Sequence, residues 1–200
     1  MAFRALRHEG GQATVELALL VSILAMPLVF GMVEMGFVFS SHLTIVNASR
    51  EGARVGGNGA NGGGTLGCGS GQSPNAATVD PEVIASVERV LIASGSLISL
   101  ANVTQIRIFK ATASGQETSG SVNVWTYTPN AGPVVDGNAL EFSPQSVGWQ
   151  ACSRNNVIPA DAIGVTVKYS YTARTPVRFF LPGFAFNLSD SMVMTLNATQ

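Results

Sequence analysis

Gly10-Gly11-Gln12-Ala13-Thr14-Val15-Glu16-Leu17-Ala18-Leu19-Leu20 begins an apolar run that continues to Val46. From Leu17 to Val33 the run carries no charge. A bilayer-spanning helix needs ~20 apolar residues, and this stretch is long enough. It exceeds the apolar region of a secretory signal, about 7–15 residues, and no clear A-x-A site follows it. Pro27 is a weak point that membrane helices tolerate. Glu16 and Glu34 bracket the uncharged part. Along a helix they lie ~27 Å apart, close to the ~30 Å hydrocarbon thickness, so one arrangement sets each acid near one interface. Arg4 and Arg7 precede the span, which favours a cytoplasmic N-terminus. Arg50 and Arg54 follow it and weaken that asymmetry, but they lie beyond the apolar core.

Towards the C-terminus, the helix is expected to run on through Asn47-Ala48-Ser49-Arg50-Glu51 and to stop at Gly56-Gly57 and Gly62-Gly63-Gly64. Residues 56–79 read as a Gly, Asn and Ser rich linker. A helix start follows: Asp80 can cap, Pro81 suits the first position and Glu82 the first turn. Val83, Ile84, Val87, Val90 and Leu91 recur on one helical face, and Gly95 ends the pattern. This helix needs a sheet to pack on. Val103 to Lys110 supplies one strand, with Ile106 and Ile108 on one face, and Val122, Val124 and Thr126 repeat the alternation. Ile163, Val165, Val167, Tyr169 and Tyr171 form the clearest alternating strand, and Met192, Met194, Leu196 and Ala198 the last. Residues 129–160 read as turns, with Pro129, Pro133, Pro144 and Pro159. The reading is thus α+β. A long N-terminal transmembrane helix leads to an exported domain with one amphipathic helix on an antiparallel sheet of about four strands.

Composition narrows the function. Hydrophobic residues make up 46% of the 200 residues and charged residues only 12%, against about 25% charged in a typical soluble chain. The net charge of −1 leaves no electrostatic footprint for nucleic acid. The two histidines are His8 and His42. Neither has a Cys or Asp at metal-ligand spacing, so neither a metal nor a cofactor is expected. Ser-His-Asp chemistry lacks a histidine in the folded domain. The glycine run has no Gly-Lys-Ser/Thr after it, so it is no P-loop. Trp125, Tyr127, Trp149, Tyr169 and Tyr171 read as core or sheet face before they read as a binding surface. No enzyme activity and no small-molecule substrate are expected.

Cys68 and Cys152 are the two cysteines. An even pair far apart in an exported chain reads as one disulfide, with two buried thiols as the alternative. The segment Val177-Arg178-Phe179-Phe180-Leu181-Pro182-Gly183-Phe184-Ala185-Phe186 holds four phenylalanines. Open to solvent it would form an interaction patch. It is expected either to cap the sheet core or to dock on the membrane surface or a neighbouring subunit, through Arg178, Phe179, Phe180 and Phe184.

A short basic leader ends in glycine, and Glu16 stands fifth after Gly11. This resembles the prepilin cleavage site of type IV pilins and their relatives. Glycine lets a membrane-embedded protease approach its carbonyl closely. A cut between Gly11 and Gln12 exposes the amine of Gln12, which could pair with Glu16 of a neighbouring subunit. Val33-Glu34-Met35-Gly36 and Asn47-Ala48-Ser49-Arg50-Glu51-Gly52-Ala53-Arg54 further resemble the TadE domain, and the resemblance covers roughly residues 8–57. Leu17 departs from the aromatic that often follows the glutamate in that family. The chain is also much longer than a major Flp-type pilin.

The resemblance implies a structural minor pilin or pseudopilin that assists assembly of a Tad (Flp) pilus. Its implied partners are the prepilin peptidase, other pilins or pseudopilins and the inner-membrane platform, with Glu16 and Glu34 as assembly residues. The implied place is the bacterial cell membrane, single-pass, with the C-terminal domain extracytoplasmic, or the pilus itself. The division is 1–11 leader, 12–55 transmembrane and pilin-like helix, 56–79 linker and 80–200 extracytoplasmic domain. The competing expectations are a surface-binding tip adhesin, an uncleaved signal-anchored envelope protein and a secreted enzyme.

Overall fold

The computed structural model describes residues 10–59, 78–156, 158–176, 179 and 183–197. The fold is α+β. The elements in chain order are α1 (Gly10–Gly59), α2 (Val79–Leu91), β1 (Val103–Ala111), β2 (Glu117–Tyr127), β3 (Val134–Val135), β4 (Asn138–Ala139), β5 (Phe142–Val147), β6 (Ala162–Thr172) and β7 (Ala185–Thr195). The described residues fall into two compact units. One holds α1 as far as Val38 together with those of Thr172–Ala185, and the other holds those of Phe39–Tyr171 and Phe186–Gln200.

In the first unit α1 is apolar and bare. An 18-residue window of mean hydropathy 2.2 has no buried residue. Leu17, Ile23, Leu24 and Met32 are all more than half exposed. In water such a surface would be costly at ~25 cal/mol per Å². By length and composition, α1 can cross a membrane.

The second unit is a five-stranded sheet in the order β5-β2-β1-β6-β7, with α2 and the later part of α1 on one face. β6 lies inside the sheet, and Ile163, Val165, Val167, Tyr169 and Tyr171 are all buried, as their alternation predicts. Ile106 pairs with Val167 and Ile108 with Val165 across the antiparallel β1–β6 ladder. On the other face the Phe109 ring lies directly over Gly164, where an added Cβ would come within 2.1 Å of it.

Four local expectations are corrected. Gly56 and Gly57 do not stop α1, which continues to Gly59. They belong to a buried stripe of small residues, Ser41, Ala48, Ser49, Gly52, Ala53, Gly56 and Gly57, that brings α1 close to the sheet. A Cβ on Gly52 would stand 2.6 Å from Val87 Cγ2, and one on Gly56 2.7 Å from Ile163 Cδ1. The helix tolerates the glycines, at ~1 kcal/mol each, because their missing side chains permit this contact.

β2 turns Asn123 and Trp125 inward rather than Val122 and Val124. Asn123 is fully buried, and its amide is satisfied at both ends. Its Nδ2 donates to Asp80 Oδ2 and to the Trp149 carbonyl at 2.7 Å each, and its Oδ1 accepts the Trp149 N–H at 2.7 Å. A buried amide so paired escapes the cost of desolvation.

The turn-rich region contains β5, a fifth strand paired antiparallel with β2. It lies at the sheet edge, where Pro144, which has no N–H, is tolerated. The same region contains the β3–β4 hairpin, closed by Asp136 (φ 50°) and Gly137 (φ 80°). That Asp-Gly pair suits a tight hairpin turn.

Asp80 lies within the first turn of α2, and no side chain of Thr78 caps the helix. Asp80 instead meets Arg154, whose Nη2 donates to Asp80 Oδ1 at 2.6 Å. The guanidinium carbon stands 4.5 Å from the centroid of the Trp149 ring. The Arg154 side chain is wholly buried and Asp80 is 14% exposed, so a residue expected as a cap is the counter-ion of a core arginine.

Candidate functional site

The expected functional residues lie along α1 and in the segment after β6. Gly11 is helical, and an added Cβ there would touch nothing within 4 Å. Gln12 Nε2 donates to Glu16 Oε1 at 3.3 Å, one turn further along an exposed helix. The Glu16 carboxylate therefore faces outward from its own chain. The leader residues 1–9 lie outside the described residues.

Glu34 is different. It is fully buried, and its carboxylate accepts two backbone hydrogen bonds from the segment after β6. The Arg174 N–H donates to Oε1 at 2.9 Å and the Thr175 N–H to Oε2 at 2.8 Å. The two acids that look alike in the sequence thus have different surroundings: Glu16 is open, whereas Glu34 is engaged within its own chain.

In the same segment Phe179 is 77% exposed and Phe184 is half-buried. Arg178 and Phe180 lie outside the described residues, as does Cys68. Cys152 lies in the short helical turn Ala151–Ser153 and packs against Val79 and Ala151.

The Arg50-Glu51-Gly52-Ala53-Arg54 run divides its roles by helical face. Gly52 and Ala53 are buried, while Arg50 and Arg54 are exposed. Glu51 and Arg54 pair at 2.6 Å, but Arg54 is 56% exposed, so solvent screens the pair. Together with Asn47, Ser86, Arg89, Val90, Met192 and Met194 they line an open groove of about 550 Å³. Three arginines against one glutamate make it basic, and the two methionines give it a deformable apolar wall. Local sequence does not show this groove, because Arg89 and the methionines arrive from α2 and β7.

The aromatics do not form a binding surface. Trp125, Trp149, Tyr169 and Tyr171 are buried, and Tyr127 packs edge-on against Phe142 with ring centroids 5.8 Å apart. Among the described residues, no group of three or more His, Cys, Asp or Glu could hold a metal ion.

No curated protein and no solved structure matches the chain. Residues 11–54 match the family model described as TadE-like protein. That interval contains the uncharged apolar span, both acids and the Arg-Glu-Gly-Ala-Arg run, so this part of the chain is similar to TadE-like proteins.

Proposed function

We propose that this protein is a structural minor pilin or pseudopilin that assists assembly of a Tad-type pilus. The observation that carries the reading is the TadE-like match to residues 11–54, on an apolar helix long enough to cross a membrane with no buried residue in its most apolar window. A prepilin peptidase cuts between Gly11 and Gln12. The freed amine of Gln12 then meets the outward-facing Glu16 of a neighbouring subunit within a low-dielectric helix bundle. The protein sits in the bacterial membrane with its N-terminus cytoplasmic. Its partners are other pilins and the inner-membrane platform, and a Cys68–Cys152 disulfide braces the extracytoplasmic domain. The protein catalyses nothing.

Mass spectrometry of the mature N-terminus, after co-expression with an active prepilin peptidase, tests the reading. A chain beginning at Gln12 supports it. Recovery of full-length protein alone rejects it and favours a signal-anchored envelope protein.

A further inference from the structure

The segment after β6 is tied to α1 at one defined height. The Arg174 and Thr175 N–H groups both donate to Glu34, and Glu34 is the first charge after the uncharged stretch Leu17–Val33. At 1.5 Å per residue, Glu34 stands ~27 Å along the helix from Glu16, about one hydrocarbon thickness. The hydrogen bonds therefore fall where a spanning helix leaves the hydrocarbon, opposite its N-terminus. Burial of the Glu34 carboxylate beneath this segment also fits that depth, since an uncovered carboxylate there would be costly.

We infer that the segment after β6 is a membrane-interface anchor whose occupant is the lipid bilayer, with Phe179 inserted at headgroup depth beside Glu34. Phe179 is 77% exposed, and it belongs to the same compact unit as α1 up to Val38. The Phe179 N–H donates to the Pro176 carbonyl at 2.9 Å, which keeps Phe179 within about one helical turn of Thr175 and its bond to Glu34. An aromatic ring at the interface anchors the depth of a spanning helix. The inference rests on α1 spanning a bilayer and does not depend on the pilus role.

The test places the full chain in phosphatidylcholine nanodiscs as the Phe179→Trp variant. The lipid carries bromine either near the headgroup end of the acyl chain or near its methyl end. Trp125 and Trp149 are 3% and 4% exposed, so the wild-type chain supplies a constant background. Phe179→Trp should show blue-shifted emission, quenched more by shallow bromine than by deep bromine. Leu24→Trp, at the middle of the uncharged stretch, should be quenched more by deep bromine. Unquenched, red-shifted emission from Phe179→Trp beside a quenched Leu24→Trp overturns the anchor and leaves the span intact. No quenching of either variant overturns both. Emission that shifts only with the number of copies per disc assigns the surface to a second copy and overturns the lipid assignment.

Discussion

The Thr175 N–H donates to Glu34 Oε2 at 2.8 Å across 141 residues of sequence. Its neighbour Arg174 donates to the other carboxylate oxygen. Glu34→Leu leaves both donors without this acceptor, at ~1–3 kcal/mol for each that stays buried. Glu34→Gln keeps one acceptor and should cost about half as much. Amide hydrogen exchange on detergent-solubilised protein should show Arg174 and Thr175 losing protection in Glu34→Leu while the amides of β6 keep theirs. Unchanged protection at both positions would refute the role of Glu34.

Gly52→Ala should destabilise the domain although alanine is the better helix former. The new Cβ meets Val87 Cγ2 at 2.6 Å and Val165 Cγ1 at 3.1 Å. Overpacking of this kind costs ~1–3 kcal/mol, against a gain of ~1 kcal/mol in helix propensity. Gly36→Ala is the control, since its Cβ would touch nothing within 4 Å. Thermal unfolding should show a lower Tm for Gly52→Ala and no loss for Gly36→Ala. Equal Tm values for Gly52→Ala and wild type would show that the helix has room to spare.

Asp80→Ala separates a cap from a counter-ion. Loss of a helix cap costs ~1 kcal/mol, whereas stripping the partner from a buried arginine costs ~3–5 kcal/mol. Urea unfolding should give the larger loss. The double variant Asp80→Ala, Arg154→Met should recover part of it, because no buried charge then remains unpaired. A loss near the smaller figure, with no recovery in the double variant, would return Asp80 to the role of cap.

Glu88 supplies a pH dependence. It is buried in α2, and burial pushes its carboxyl above the ordinary value of 4.5, opposed by the hydrogen bond from the Glu141 N–H. The folded state therefore holds this proton at pH values where the unfolded chain has released it. The resulting stabilisation is complete below pH 4.5 and is lost as pH rises through the folded pKa. Glu88→Gln mimics the protonated form at every pH. Its Tm relative to wild type should therefore increase from pH 4 towards pH 7, as followed by scanning calorimetry. A constant or shrinking difference would mean that the charged form is well accommodated in the fold.

Much of this fold is legible in local pattern. The apolar run to Val46, the alternation of Ile163 to Tyr171 and the helical spacing of Val83 to Leu91 each report a burial period, and period follows from backbone geometry alone. The TadE-like segment could also be read from the sequence, since its signal lies in consecutive residues. What escaped depends on partners distant in sequence. Gly56-Gly57 reads as a stop signal because glycine is a poor helix former. Only the positions of Ile163 against Gly56, and of Met194 and Thr195 against Gly57, show that the missing Cβ atoms make room for packing. Asn123 reads as an outward residue of β2 until Asp80 and Trp149 are in place to satisfy its amide. β5 hides behind Pro144, whose missing N–H is harmless only at an edge that strand order defines.

The sequence by itself determined that this protein has a membrane-length helix, an acid at each end of its uncharged stretch and an α+β domain beyond. These follow from hydropathy, charge and periodicity, which are properties of neighbouring residues. Only the tertiary structure decided that the two acids differ: Glu16 remains open, while Glu34 is covered and hydrogen-bonded by a segment 140 residues away. A carboxylate has the same chemistry at both positions, and its role depends on which donors the folded chain brings within about 3 Å of it.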